Sequence, residues 1–248
     1  EGKIAYIGYS ILEKQLLNYS KKVIVASPNY LNHSRPLKYK HEICEVIPLG
    51  LKKLKAVTPS IAKSNTKLKL IIVGRLTYYK GHKYLIKALQ YLDEVELKII
   101  GKGELEYDLK LLVDNLKLNE KVEFLGEVSN AQLKGLIAKS DILCLPSIEK
   151  TEAFGMVILE AARLGKPALV SDVLGSGMSW VVQHKRTGLV VESSSTESIY
   201  EALKYIISNY GELKEWGINA QRRFEIKFNI DCIAKRTIDV YNEILKVR

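Results

Sequence analysis

The sequence predicts an α/β fold: a parallel sheet covered by helices on both faces. Three observations carry that prediction. From residue 68 onward, short apolar strands alternate strictly with segments of helical spacing. Helix start and stop signals fall between them, such as Ser129 with Gln132 three residues later, and Gly165-Lys166-Pro167. Charged residues and glycines gather directly after the strands, at the end where parallel sheets bind ligands.

Taken in order, residues 68–73 (Leu-Lys-Leu-Ile-Ile-Val) form the first of these strands. After Gly81, the residues Leu85, Ile86, Ala88, Leu89 and Leu92 mark one face of a helix. A second strand spans 95–100 and a second helix 105–116; a third strand covers 122–125. Ser129 then opens a helix, and Ile142-Leu143-Cys144-Leu145 reads as a buried strand ended by Pro146-Ser147. Its helix begins at Phe154-Gly155 and runs to Gly165. A strand over 167–171, a short helix near Trp180, a strand over 188–191 and a helix over 197–208 follow. The last helix spans 233–245, with Ile233, Ile238, Val240, Tyr241 and Ile244 as its apolar positions.

Composition fits one large domain or two modest ones, at 47% hydrophobic and 27% charged residues. No apolar run approaches the ~20 residues that span a bilayer. The chain opens Glu-Gly-Lys-Ile, without an initiator methionine or signal-like segment, and reads as a piece of a longer or processed protein. Cys44, Cys144 and Cys232 are far apart and are expected to be reduced structural thiols in a cytosolic protein. His33, His41, His82 and His184 form no pair at metal-ligand spacing, so no metal site is expected. Of the net charge of +10, residues 1–60 carry +6, ten Lys/Arg against four Glu. That excess suits anionic headgroups or phosphorylated substrates. No aromatic-interleaved basic motif points to nucleic acid.

The stretch 152–160 (Glu-Ala-Phe-Gly-Met-Val-Ile-Leu-Glu) is the most informative. Glu152 falls in the loop and Glu160 one to two turns into the helix. At about 100° per residue, the two carboxylates lie within roughly 80° of each other around the helix axis. Both therefore border one cleft at a helix N-terminus, where free amides favour phosphate. Taken by spacing alone, two glutamates on so charged a chain are more often solvated. Arg75 and Lys80, after the first strand, fall on the same sheet rim and shift the reading toward a diphosphate. Gly101-x-Gly103 invites a dinucleotide reading, but Glu106 stands where a third glycine belongs and no acidic residue ends the next strand.

Together, Gly74-Arg75-Leu-x-x-x-Lys80-Gly81, Phe124-Leu125-Gly126-x-Val128, Pro146-Ser147 and Glu152-x-Phe154-Gly155 followed by Glu160-Ala161 resemble retaining glycosyltransferases of the GT-B fold. The chain is similar to the "glycosyl transferases group 1" family over roughly residues 20–248, and to its bacterial surface-polysaccharide members. The resemblance implies two Rossmann-like domains facing each other across a cleft, the C-terminal one holding the nucleotide sugar. It assigns residues 1–50 to the end of the N-terminal, acceptor-side domain and 51–67 to a linker. Residues 68–225 become the donor domain, and 226–248 a helix crossing back. The segment 21–28 would be the last strand of the N-terminal domain, and 46–50 would lead into the donor domain.

The same resemblance implies catalytic roles for Arg75, Lys80 and Glu152, the cations gripping the donor phosphates in place of a metal. Donor contacts would come from Gly74, Val128, Phe154, Gly155, Met156, Val157 and, for the ribose, Glu160. It implies no cofactor beyond a UDP-sugar or GDP-sugar substrate. The implied acceptor is a saccharide, preferably a lipid-diphosphate-linked oligosaccharide, met at the inner, anionic face of the plasma membrane. Where the family often has an acid after the loop at 175–177, this chain has Met178-Ser179-Trp180; Trp180 is expected either beneath the donor loop or in the core. Two further readings remain on the same architecture: a sugar-nucleotide epimerase, and a non-catalytic nucleotide-binding module.

Overall fold

A computed structural model describes residues 2–54 and 67–246. The expected linker over 51–67 therefore lies mostly outside the described residues. The chain opens with helix α1 (Gly2–Tyr19), strand β1 (Val23–Val25), helix α2 (Pro28–His33) and strand β2 (Cys44–Val46). β1 and β2 pair in parallel, with Val25 opposite Val46. The second strand corrects the expectation that 21–28 holds the last strand before 46–50 leads out of that domain. Its three residues are too few for a periodicity signal to show.

From residue 68 the order is β3 (Leu68–Val73), α3 (His82–Ala88), β4 (Val95–Ile100), α4 (Glu106–Asn115), β5 (Val122–Gly126) and α5 (Asn130–Lys139). It continues with β6 (Ile142–Leu145), α6 (Met156–Ala162), β7 (Ala168–Asp172), α7 (Met178–Val181), β8 (Gly188–Glu192) and α8 (Thr196–Ser208). α9 (Glu212–Lys227) and α10 (Ile230–Lys246) close the described chain. The strands form one parallel sheet ordered β5-β4-β3-β6-β7-β8. That is the order of a doubly wound nucleotide-binding sheet, and it reverses direction between β3 and β6.

Side-chain alternation on β3 builds both cores. Leu68, Leu70 and Ile72 face α3, α4 and α8, packing with Leu85, Ile86, Leu109 and Leu203. Ile71 faces the other way, into a cluster with Leu143, Leu145, Ile158, Phe224 and Phe228. Each fully buried aliphatic side chain contributes about 1.5–3 kcal/mol, so the sheet is held from both sides. α9, absent from the sequence expectation, supplies Leu213, Trp216, Ala220 and Phe224 to these cores. Their spacing at i, i+3, i+7 and i+11 is helical and was readable in the sequence.

α10 returns to the β1–β2 pair. Ile47, Ile233 and Val240 pack together, Arg236 donates to the Val46 carbonyl at 2.7 Å, and Lys22 pairs with Glu243 at 3.1 Å. Ile238 and Tyr241, expected on its apolar face, are exposed instead. Backbone bonds from Leu51 to the Phe228 carbonyl and from Ile230 to the Leu51 carbonyl tie the entry into the six-stranded unit to its exit. No helix among the described residues is long and apolar enough to cross a membrane.

Candidate functional site

The reversal between β3 and β6 puts two loops side by side at the carboxyl edge of the sheet. One follows β3 and carries Arg75 and Lys80; the other follows β6 and carries Glu152. They touch at Gly81, which adopts φ 70°. A Cβ there would stand 2.0 Å from the Pro146 carbonyl oxygen, so only glycine permits the approach. The amide of Ile148 also donates to the Tyr79 carbonyl at 2.8 Å, and the Tyr78 hydroxyl to Glu149 at 2.7 Å.

Within this crevice the Lys80 ammonium is paired with the Glu152 carboxylate, and the two side chains are only 12% and 13% exposed. The Ser147 hydroxyl reaches the same carboxylate oxygen at 3.4 Å. Gly74 follows β3 beside the lysine; a Cβ on it would lie 3.1 Å from Nζ, so its bareness leaves Lys80 room. The backbone of Glu152 is fixed in turn, its carbonyl accepting from the Ser176 hydroxyl at 2.5 Å. The next carbonyl, of Ala153, accepts from the Gly177 amide at 2.7 Å.

Phe154 anchors the loop from beneath. It is buried, with Trp180 at 6.4 Å and Phe228 at 6.1 Å between ring centroids. Trp180 thus lies under the loop and in the core at once, and Arg223 bonds its carbonyl at 2.7 Å. Gly155, at φ 76°, turns the chain into α6. Met156 and Val157 begin α6, in the first turn of which their amides have no intrahelical acceptors.

The remaining expected residues sit differently. Arg75 is 72% exposed and turns outward to Glu104, Nε to Oε2 3.3 Å. The Glu104 carboxyl is held below the usual carboxylate range, first by the Thr77 hydroxyl, then by a backbone amide and Arg75. Glu160 stands one turn into α6 and is paired with Arg163, which also reaches the Lys52 carbonyl at 3.4 Å. Val128 packs half-buried beside Leu125 against the second core. The structure therefore brings Gly74, Lys80 and Glu152 together, turns Phe154 into the core beneath them, and leaves Arg75 and Glu160 with partners of their own.

Sequence reasoning missed Ser176 and Glu104, whose separations from the site in the chain carry no periodic signal. It also passed over His82, directly after Gly81. That imidazole is 2% exposed with neither ring nitrogen hydrogen-bonded. Burial, and then the Lys80 charge, push its pKa down to about 4, so it is neutral at physiological pH. No three His, Cys, Asp or Glu side chains converge as metal ligands among the described residues. All three cysteines are free; Cys144 is buried in β6, and Cys232 is exposed rather than structural.

Comparison with known proteins places this geometry in a family. The chain is similar to the D-rhamnosyltransferase WbpZ of Pseudomonas aeruginosa, 33% identical over 226 residues, covering 89% of this chain and 58% of that protein. It is similar to the O-antigen chain mannosyltransferase C of Escherichia coli, 28% identical over 243 residues, covering 96% of this chain and 65% of that protein. The chain thus spans about half to two-thirds of the length of the curated relatives it matches. Its fold is that of the GT-B structure of Anabaena Alr3699/HepE in complex with UDP, with a TM-score of 0.79 at 20% identity over 92% of this chain and 65% of that one. Residues 56–223 match the sequence model of the family described as "Glycosyl transferases group 1". The chain belongs to the glycosyl transferases group 1 family.

Proposed function

We propose that the protein is a metal-independent retaining glycosyltransferase that moves a hexose or N-acetylhexosamine from a nucleotide sugar, UDP-linked, to a saccharide acceptor. The observation that carries this reading is the Lys80–Glu152 pair in the crevice where the sheet order reverses. A diphosphate entering there offers Lys80 a denser anion than a single carboxylate. Lys80 passes to the β-phosphate, and Glu152 is released to accept hydroxyls of the sugar. The amides of the 154–157 segment, Gly74 and Val128 line the diphosphate and base. Glu160 turns from Arg163 toward the ribose, and Arg75 swings in from Glu104.

Cleaving the bond from the anomeric carbon to the β-phosphate oxygen leaves negative charge on that phosphate and positive charge on the carbon. Lys80, already held in place, stabilises the first without reorganisation at the moment of reaction. The fixed Glu152 carboxylate lies at negative potential beside the second. Support for a UDP donor comes from the UDP complex of the HepE neighbour, and support for a polysaccharide acceptor from the rhamnosyl- and mannosyltransferase relatives. In this reading residues 1–50 close the acceptor-side domain, 51–67 link it to the donor domain at 68–225, and 226–248 cross back. The basic first quarter faces an anionic membrane on the cytoplasmic side, where a lipid-diphosphate-linked acceptor is held.

Calorimetric titration with UDP, GDP and NAD, using Glu160→Ala as control, tests the donor site. UDP binding that the variant weakens at least tenfold is expected. Binding of NAD alone, or UDP binding indifferent to Glu160, would overturn the reading.

A further inference from the structure

A cavity of about 420 Å³ lies between α3 and α4, beside the loop that carries Lys80 but apart from the Lys80–Glu152 pair, neither of which lines it. That volume is within the ~300–1,000 Å³ range of small-molecule sites. Its walls are mostly apolar: Leu105, Leu109 and Leu112 from the start and face of α4, and Ile148 from the loop after β6. Two cations, Lys83 and Lys87, line it from one face of α3, against the single acid Asp108. Neither lysine is in an ion pair among the described residues. At i and i+4 they repel each other, a repulsion that one bound anion removes. The buried His82 ring forms part of the wall.

We infer that this cavity binds a small amphiphilic anion, with an aromatic or alkyl body among the leucines and one carboxylate at Lys83 and Lys87, and that its occupancy is felt by the donor loop. The coupling is physical. Thr77 and Tyr78 line the cavity, and the same Tyr78 bonds Glu149 while the adjacent Tyr79 carbonyl accepts from Ile148. A ligand there contacts the joint between the two loops that hold Lys80 and Glu152.

The probe is 2-naphthoate, with the neutral 2-naphthamide as its isostere, titrated by fluorescence into the chain. One saturable site is expected, with 2-naphthamide at least fivefold weaker. The surface variant Lys83→Gln/Lys87→Gln should weaken 2-naphthoate at least fivefold and leave 2-naphthamide unchanged. Leu112→Trp, which fills the cavity from a half-buried position, should abolish both. Absence of saturable binding up to millimolar probe, full binding to Leu112→Trp, or equal affinity for the two probes would each overturn the inference. Hydrogen exchange reads the coupling without any nucleotide: 2-naphthoate should slow exchange in residues 77–80 at least threefold and leave 188–192 unchanged. Unchanged exchange in 77–80 would refute the link to the donor loop.

Discussion

Two cation–carboxylate pairs stand on the loop after β3, and they sit in different surroundings. On its outer side, Arg75 meets Glu104 in solvent; on its inner side, Lys80 meets Glu152 in a crevice closed by β6 and its loop. Exposed pairs of the first kind contribute about 0–1 kcal/mol and weaken with salt. A pair of the second kind has lost most of its water, so each partner strongly requires the other or a substitute. In the proposed function the buried pair is the one that opens to take the donor diphosphate, whereas Arg75 of the outer pair swings in once the donor is bound. Glu152 is further fixed through its carbonyl by Ser176, whereas the Glu160 carboxylate on α6 is paired with Arg163.

Breaking the inner pair should have the largest effect. Lys80→Met is expected to lower kcat by about 10²–10³, as loss of a preorganised donor to a developing oxyanion does. It should also strand Glu152 and reduce stability by up to about 3 kcal/mol. Adding Glu152→Gln should restore the thermal midpoint but not the activity, and recovery of both would contradict the account.

The buried side of the loop should also leave a signature in pH. His82 has its folded pKa depressed to about 4 from 6.5, so the unfolded chain binds the extra proton first. Stability should then fall as pH drops from about 6.5 to 4, by about 3 kcal/mol across the window. Above pH 6.5 His82 adds no slope. Urea denaturation of His82→Leu between pH 4 and 7 should show that part of the slope missing.

The outer pair should matter less. Arg75→Ala is expected to weaken UDP about tenfold, the loss of one charge-assisted bond, while changing the stability of the free protein by less than about 1 kcal/mol. The smallest effect is that of salt. Raising ionic strength from about 0.05 to 0.5 M should change the difference in unfolding free energy between Arg75→Ala and the unsubstituted chain by less than about 1 kcal/mol. A larger separation at low salt would show the outer pair to be structural.

Much of the fold was legible from residue 68 onward because strands buried on both faces and capped helices write their periods plainly. The capping box at Ser129 and Gln132 is present as read. The first 50 residues were less legible: β1 and β2 have three residues each, and α1 has no acidic residue in its first turn and no basic one in its last. In the site, sequence order alone placed Lys80 and Glu152 on one rim, since both follow strands that end at the same edge. What it could not supply was side-chain direction. Arg75 and Lys80 share a loop, yet the turn at Tyr78–Lys80 sends one outward and the other in. Glu160 likewise sits where helical spacing puts it, but Arg163, three residues on, holds it.

The most direct test is calorimetric titration of UDP into the unsubstituted chain and into Lys80→Met under identical buffer and salt. Binding at one site, weakened about 10- to 150-fold in the variant, is the result expected if Lys80 exchanges Glu152 for the diphosphate. Equal affinity in the two proteins would mean that the crevice between β3 and β6 does not hold the donor phosphates.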